Sequence, residues 1–368
     1  MERVYTIGAD THCAFTELAT ISPGGRLIRK QRCSTNIPAL VEAVAEVRLP
    51  RVMVIEEGPL ADWLYRGLGE HGVTVVVCDP RRNHLIAKDS DKDDAIDAEK
   101  LARLARGGFI KTVHHAESFD RMAFKRRVAL YHDQVRHRVR EANRLMAQCR
   151  QLGLFIHERD FADVDRWCAC RDRLPNHPMV QADLNVVWQG YRHAVAQADK
   201  VRRGLLVLAR KNKTIRSFTA LSGVGWIRAA TFFAYVDTPF RFKRKQALWR
   251  YMGIGLECRG SGEGPRQVRV ARYANPVLKN VILGAAMSAI ASRTSPFAEQ
   301  YRRWLQDGIS PRNARRNVAR SQAAVMWGMW KSGADYRPEW VGVSVGKPTM
   351  SVGKPAMSVG RDAAVLSV

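Results

Sequence analysis

Residues 4–31, VYTIGADTHCAFTELATISPGGRLIRKQ, decide the fold of the N-terminal third. Val4 to Ala9 and Ala14 to Ile21 are apolar-rich runs of strand length, and Ser22-Pro-Gly-Gly25 supplies a turn into a third run, Arg26 to Gln31. The pattern predicts a three-strand meander. Further along, helical spacing covers Pro38 to Val47, a buried-type strand Arg51 to Ile55, a helix about Leu60 to Glu70, a strand Val73 to Cys78, and a helix from about Asp94 to Ala105.

The resulting order, βββαβαβα, is that of a ribonuclease H-like α/β domain. Parallel strands crossed by helices collect ligands at their carboxyl ends. Asp10 closes the first strand and Glu56 closes the strand after the first helix. Asp94 and Asp97 stand three apart at the start of a helix, which puts both on one face. Four carboxylates converging there suit a hard divalent cation, and such ions assist phosphodiester chemistry. Glu57, Asp91 and Asp93 are alternatives that spacing alone leaves open. His12, two residues past Asp10, is a candidate for contact with a phosphate or a simple surface histidine.

The charge says what the partner is. Sixty Lys and Arg against 35 Asp and Glu leave a net charge of +25 in 368 residues, which fits a polyanion partner through counterion release. No apolar run approaches the roughly 20 residues of a membrane span. Seven scattered cysteines suit reduced thiols in the cytoplasm rather than a disulfide framework.

The chain divides by composition into an α/β segment (1–115), a helical segment (116–212), a mainly α segment (213–335) and a tail (336–368). In the second, Leu184, Val187, Tyr191, Ala194, Ala198, Val201, Leu205 and Leu208 keep steps of three and four. Val135, Val139, Ala142, Met146 and Cys149 form a shorter seam of the same kind. The two predict an antiparallel coiled coil with the Pro175 and Pro178 region in its connection. Arg121, Lys125, Arg126, Arg127, Arg136, Arg138, Arg140 and Arg144 make the earlier helix a further surface for nucleic acid. In the tail, Ser344-Val-Gly-Lys-Pro348 recurs as Ser351-Val-Gly-Lys-Pro355 and in part at Ser358; so short a Gly/Pro/Ser repeat buries no core and reads as disordered.

The third segment holds two glycine motifs. Leu221-Ser-Gly-Val-Gly225 precedes the helical run Arg228 to Val236, a placement that exposes backbone amides of Gly223 and Gly225 to a phosphate, or serves as an interhelical turn. Residues 253–265 form a glycine-rich loop in which Ser261 lies among Arg259 and Arg266. Those arginines, with Lys243 and Arg244, complete the candidate nucleic-acid-binding set. Ser261 is either a nucleophile or part of a flexible loop. Gly342-Val-Ser-Val-Gly-Lys-Pro348 lacks the spacing and the Ser or Thr of a phosphate-binding loop, and Cys168-Ala-Cys170 with His157 and His177 has poor zinc spacing.

Five stretches taken together carry a resemblance: Gly8-Ala-Asp10-Thr-His12, Val54-Ile-Glu56-Glu-Gly58, Lys92-Asp-Asp94-Ala-Ile-Asp97-Ala98, Leu221-Ser-Gly-Val-Gly225, and Gly255-Leu256 through Ser261-Gly262. In this order they resemble the motifs of the DEDD transposases of the insertion-sequence one-ten family, which also includes the pilin-gene invertases. The resemblance spans about residues 4–335. It implies a RuvC-like N-terminal domain, a coiled-coil linker and a C-terminal transposase domain. It further implies Asp10, Glu56, Asp94 and Asp97 as ligands of Mg²⁺, with Mn²⁺ as a substitute, and Ser261 as the nucleophile of a covalent 5′-phosphoserine link to DNA. Partners implied are donor and target DNA, a structured bridge RNA, and further copies of the chain in a dimer or tetramer, in the cytoplasm and at the nucleoid of a bacterial or archaeal cell. The competing reading is a RuvC-like nuclease or junction resolvase that uses the same acids with water and leaves Ser261 without a role.

Overall fold

The computed structural model describes residues 4–81, 94–116, 118–259, 267–271, 274–292 and 294–341. It divides into two compact units, Met1–Phe124 and Lys125–Val368.

The first unit is built on a five-stranded mixed sheet of order β3-β2-β1-β4-β5. The meander comprises β1 (Tyr5–Thr11), β2 (Phe15–Ile21) and β3 (Leu27–Ser34), with β2 antiparallel to both β1 and β3. Gly25 makes the turn with φ +90°, a conformation glycine adopts without steric cost. β3 runs past the expected Gln31 because Cys33 and Ser34 pair with Thr16 and Phe15. Its outward Arg29, Lys30 and Arg32 hid that extension from a hydrophobic reading, and charge of this kind suits an edge strand. Next come α1 (Ile37–Ala45), β4 (Arg51–Glu56), α2 (Ala61–Glu70) and β5 (Val75–Cys78). Asn36 caps α1 by accepting from the Ala39 amide at 2.9 Å. β4 lies parallel to both β1 and β5. β5 starts later than the expected Val73 because the Val73 amide is used to close α2, donating to the Leu68 carbonyl.

Period-two alternation gives the sheet two buried faces. Ile7, Ala9, Leu18, Met53, Ile55, Val75 and Val77 pack with Leu40, Val44, Leu64 and Leu68 of α1 and α2. On the other face Val54 and Cys78 meet Leu101 and Ala105 of α3 (Asp94–Arg106). Gly8 governs how close α3 comes. A Cβ there would overlap the Ala98 carbonyl oxygen and lie 2.6 Å from the Ala102 amide nitrogen. Only a bare Cα, facing Ala98 and Ala102, lets the helix backbone down onto β1. Gly8→Val is therefore expected to destabilise the unit by about 3 kcal/mol, the upper range for overpacking, because the clash is with backbone. A urea unfolding midpoint equal to wild type would refute this.

α4 (Phe119–Gln151) leads from the first unit into the second. There α5 (Val164–Arg171) and α6 (Pro178–Lys211) follow. Ala142, Leu145 and Cys149 of α4 share one core with Trp167 and Cys170 of α5 and with Leu184, Val187, Trp188 and Tyr191 of α6. Gly190 of α6 lies beside Glu141 of α4, and Gly204 lies under the Arg127 guanidinium. The two matches run in opposite directions along the chain, so the helices are antiparallel. Two seam assignments change. Leu208 is exposed and Ala209 takes the buried place after Leu205, while Val139 is exposed and Leu145 is fully buried beside Ala142. A helix of 3.6 residues per turn drifts from a strict heptad, so the apolar stripe moves by one residue over several turns. The connection between the helices also holds more than the expected prolines: Trp167 stacks on Trp188 with ring centroids 5.8 Å apart, and Pro178 opens α6.

The remainder is mainly α: α7 (Lys213–Phe218), α8 (Trp226–Val236), α9 (Lys245–Tyr251), α10 (Pro276–Ala291), α11 (Pro296–Gln306) and α12 (Pro311–Ser332). Phe218, Phe232, Phe233 and Trp330 form an aromatic centre with ring centroids 4.9–6.5 Å apart. Between α9 and α10 stands an antiparallel hairpin, β6 (Leu256–Arg259) with β7 (Gln267–Val270). β6 lies within the 253–265 stretch that the sequence reads as a loop, because the flanking glycines mask its four residues. Among the described residues no helix is long and apolar enough to cross a membrane. The repeats of the tail, from 342 on, lie outside the described residues.

Candidate metal centre and nucleic-acid interface

Asp10 and Glu56 stand at the carboxyl ends of adjacent parallel strands. The β1–β4 ladder runs through Ala9 opposite Ile55, so the next residues, Asp10 and Glu56, are level. Ala9 and Ile55 face α1 and α2, and strand alternation turns Asp10 and Glu56 to the α3 face. Gly8, on that same face, brings α3 in close, and Asp94 opens that helix.

His12 completes the arrangement. It sits in the β1–β2 turn, its amide donating to the Phe15 carbonyl at 3.0 Å and its ring stacked on Phe15 at 4.9 Å. Its Nε2 is 3.1 Å from Asp10 Oδ2 and 3.5 Å from Asp94 Oδ2. One ligand atom each from Asp10, His12 and Asp94 lie within 4.8 Å of one another. Burial raises the Asp10 carboxyl above its ordinary pKa; the His12 hydrogen bond opposes this, and the negative charges of Asp94 and Asp97 add to it. Other acids nearby have cationic partners. Glu17, directly across from Asp10, pairs with Arg32, and Glu99 pairs with Lys30 and Arg103. Asp10 and Asp94, among the described residues, have only His12 in ion-pair range. Carboxylate oxygens with one imidazole, half-exposed and short of positive charge, are a donor set that fits a divalent cation.

The other acids separate. Asp97 is exposed, 3.9 Å from Lys100 Nζ, and close enough to Asp10 to raise its pKa. The trio includes neither Asp97 nor Glu56. Glu57 is engaged elsewhere: its Oε2 is 2.6 Å from Nε2 of the buried His115, whose Nδ1 meets Asp62. Burial works against a charged His115, but the bonds to Glu57 and Asp62 outweigh it and raise its pKa. Asp91 and Asp93 lie outside the described residues. The sequence leaves His12 as either a phosphate contact or a surface histidine, on its place two residues past Asp10 in the Gly8-Ala-Asp10-Thr-His12 stretch, and carries no sign of His115.

In the second unit, Gly223 has φ +81° and lies against the Ala285 carbonyl and the Ala289 amide of α10. Its own carbonyl accepts from Arg228 Nη1 at 2.6 Å, and Gln322 holds the Ser222 carbonyl at 2.8 Å. Gly223 thus serves helix packing, whereas Gly225 caps α8 with open space around it. Lys243 and Arg244 are exposed just before α9. Arg259 ends β6; Ser261 and Arg266 lie outside the described residues, between β6 and β7. Cys170, of the Cys168-Ala-Cys170 pair, is buried with its thiol donating to the Asp160 carbonyl.

Comparison with known proteins gives matches to both units. Residues 7–153 match a family model described as a transposase, the DEDD type of IS110 elements, and residues 215–302 match one described as the transposase IS116/IS110/IS902 family. A curated relative, the transposase for insertion sequence element IS1111A of Coxiella burnetii, is 19% identical over 342 residues, covering 92% of each chain.

Proposed function

The chain belongs to the IS110 family of transposases, and we propose that it moves its element by divalent-metal-assisted attack of Ser261 on DNA, under the guidance of a bridge RNA. The observation that carries the metal half of this reading is the Asp10, His12 and Asp94 trio. Asp10 and Asp94 hold the cation, His12 adds an imidazole or orients the two carboxylates, and Glu56 and Asp97 extend the set on the same face. A divalent cation such as Mg²⁺ or Mn²⁺, held by these residues, would supply activation of the attacking oxygen and a counter-charge for the leaving one.

In the covalent step the Ser261 oxygen bonds to phosphorus as the bond from phosphorus to the 3′ oxygen breaks. The serine proton ends on the departing 3′ hydroxyl. A new strand end reverses the step and releases the serine, so no high-energy cofactor is consumed. The excess of 25 positive charges suits simultaneous contact with two DNA partners and an RNA. Within it, α12 carries Arg312, Arg316 and Arg320 four residues apart. Burial, and then the preceding arginine in each case, holds Arg316 and Arg320 below their ordinary pKa. Arg320 is spent on the Ile254 carbonyl and Asn317, whereas no carboxylate pairs with Arg312 or Arg316 among the described residues, so phosphates are their fitting counter-charge. Assembly as a dimer or tetramer belongs to the same reading.

The test is strand exchange between DNA carrying the element's ends and a target duplex, with RNA transcribed from the DNA flanking the gene. Exchange is expected in Mg²⁺, lost in EDTA, restored by Mn²⁺, and absent without the RNA. Undiminished exchange in EDTA would remove the metal from the mechanism, and exchange without RNA would remove the guide.

A further inference from the structure

Two glutamates, Glu56 and Glu57, stand together where β4 ends, and a turn that rotated there would exchange them at the cation. The backbone of this turn is held to the sheet by the Glu57 amide, which donates to the Cys78 carbonyl of β5 at 2.9 Å, and closed on itself by the Ala61 amide, which donates to the Gly58 carbonyl at 3.1 Å. A further restraint comes from a distant stretch of chain. Residues 111–113 run along β5, with the Asp79 amide donating to the Lys111 carbonyl at 2.9 Å and the Val113 amide donating to the Val77 carbonyl at 2.7 Å. Thr112 bridges Cys78. This strap delivers His115 to the turn, where the side chain is 4% exposed and lies beside the Tyr65 ring at 5.5 Å.

Both imidazole nitrogens face carboxylate oxygens, Glu57 after β4 and Asp62 in the first turn of α2. Ionised carboxylates only accept, so both nitrogens donate, and the ring ties the two ends of the Glu57–Asp62 connection together. We propose that His115 is a positioning residue for the acid set: by bridging Glu57 and Asp62 it keeps Glu57 away from the α3 face and leaves Glu56 there beside Asp10. The inference rests on the reading of that face as a divalent-cation site. His115 touches neither the cation nor DNA.

Groups that hydrogen-bond a metal ligand directly are worth about 10- to 100-fold in affinity, and His115, which acts through the turn beside Glu56, belongs at the lower end of that range. The experiment is Mn²⁺ binding by the full chain, read as loss of the free-ion paramagnetic resonance signal, for wild type, His115→Gln, Glu57→Gln and the double variant. Leu68→Ala, which opens the α2 core without touching the clamp, is the control for plain destabilisation. His115→Gln is expected to weaken Mn²⁺ binding by about tenfold or more, and the double variant to be no worse than His115→Gln, since both act through one contact. Leu68→Ala is expected to lower the melting temperature while leaving the Mn²⁺ midpoint in place. Equal affinity in wild type and His115→Gln, or an equal loss in Leu68→Ala, overturns the positioning role. A wild-type chain that takes up no Mn²⁺ overturns the metal reading, and this inference with it.

Discussion

Asp10→Asn is expected to slow DNA strand cleavage by at least about 10³-fold, roughly 4 kcal/mol of barrier, while leaving nucleic-acid binding within about twofold of wild type. The substitution keeps the shape of the side chain and can still meet His12, which lies 3.1 Å away. What it removes is the charge at the end of β1, where Asp10, Asp94 and Asp97 repel one another. Without a cation that repulsion works against the fold, so the variant should be no less stable than wild type in EDTA. Thermal melting in EDTA, single-turnover cleavage in Mg²⁺ and a filter-binding titration separate these effects. Cleavage at the wild-type rate would exclude Asp10 from the chemistry. A fall in cleavage that merely tracks a fall in melting temperature would make Asp10 a structural residue.

Ser261→Ala is expected to abolish the covalent protein–DNA adduct. The hydroxyl is the atom that bonds to phosphorus in the proposed step, and alanine offers no replacement nucleophile. The serine lies in the 260–266 segment spanned by β6 and β7. The open ends of the two strands are anchored by contacts that do not involve residues 260–266: Arg320 Nε donates to the Ile254 carbonyl at 2.7 Å, and the Ala271 amide donates to the Gly255 carbonyl at 3.0 Å. A change at Ser261 should therefore leave the stem and the melting temperature alone. Wild type and variant are compared on DNA nicked near the element end, quenched in detergent and resolved by size. An adduct of undiminished yield in Ser261→Ala would sink the serine assignment. Metal-dependent cleavage with no adduct in either protein would favour the alternative, a nuclease that uses water.

Much of the first unit is legible in local pattern because its strands are half-buried or buried runs bounded by Ser-Pro-Gly-Gly and similar turns. The helices α1, α2 and α3 have their boundaries within a few residues of expectation for the same reason. Where local pattern was weak, the reading slipped. β3 ends among arginines, β6 is four residues amid glycines, and β7 is only four residues long, too short for its alternation to stand out. The seam of α6 was clear down to Leu205 and then misplaced by one residue, because heptad counting ignores the drift of a straight helix. The sequence leaves Gly223 as either a phosphate-facing amide or part of an interhelical turn; its φ and its closeness to α10 add a packing need that no nearby residue announces.

At the candidate centre, strand order alone determined that Asp10 and Glu56 would be neighbours, since residues closing adjacent parallel strands end at one edge of a sheet. Local sequence likewise determined that Asp94 and Asp97 share a helix face, and the balance of charges determined that the partner is a polyanion. Three things were decided only in the tertiary structure. The bare Cα of Gly8 sets the depth of α3 and so brings Asp94 to Asp10. The β1–β2 turn folds His12 back between the two carboxylates. A strap far along the chain supplies His115, which takes Glu57 out of the set. Each of these depends on a distance between residues remote in sequence, and neither periodicity nor charge carries that information; it exists only once the sheet and α3 have packed.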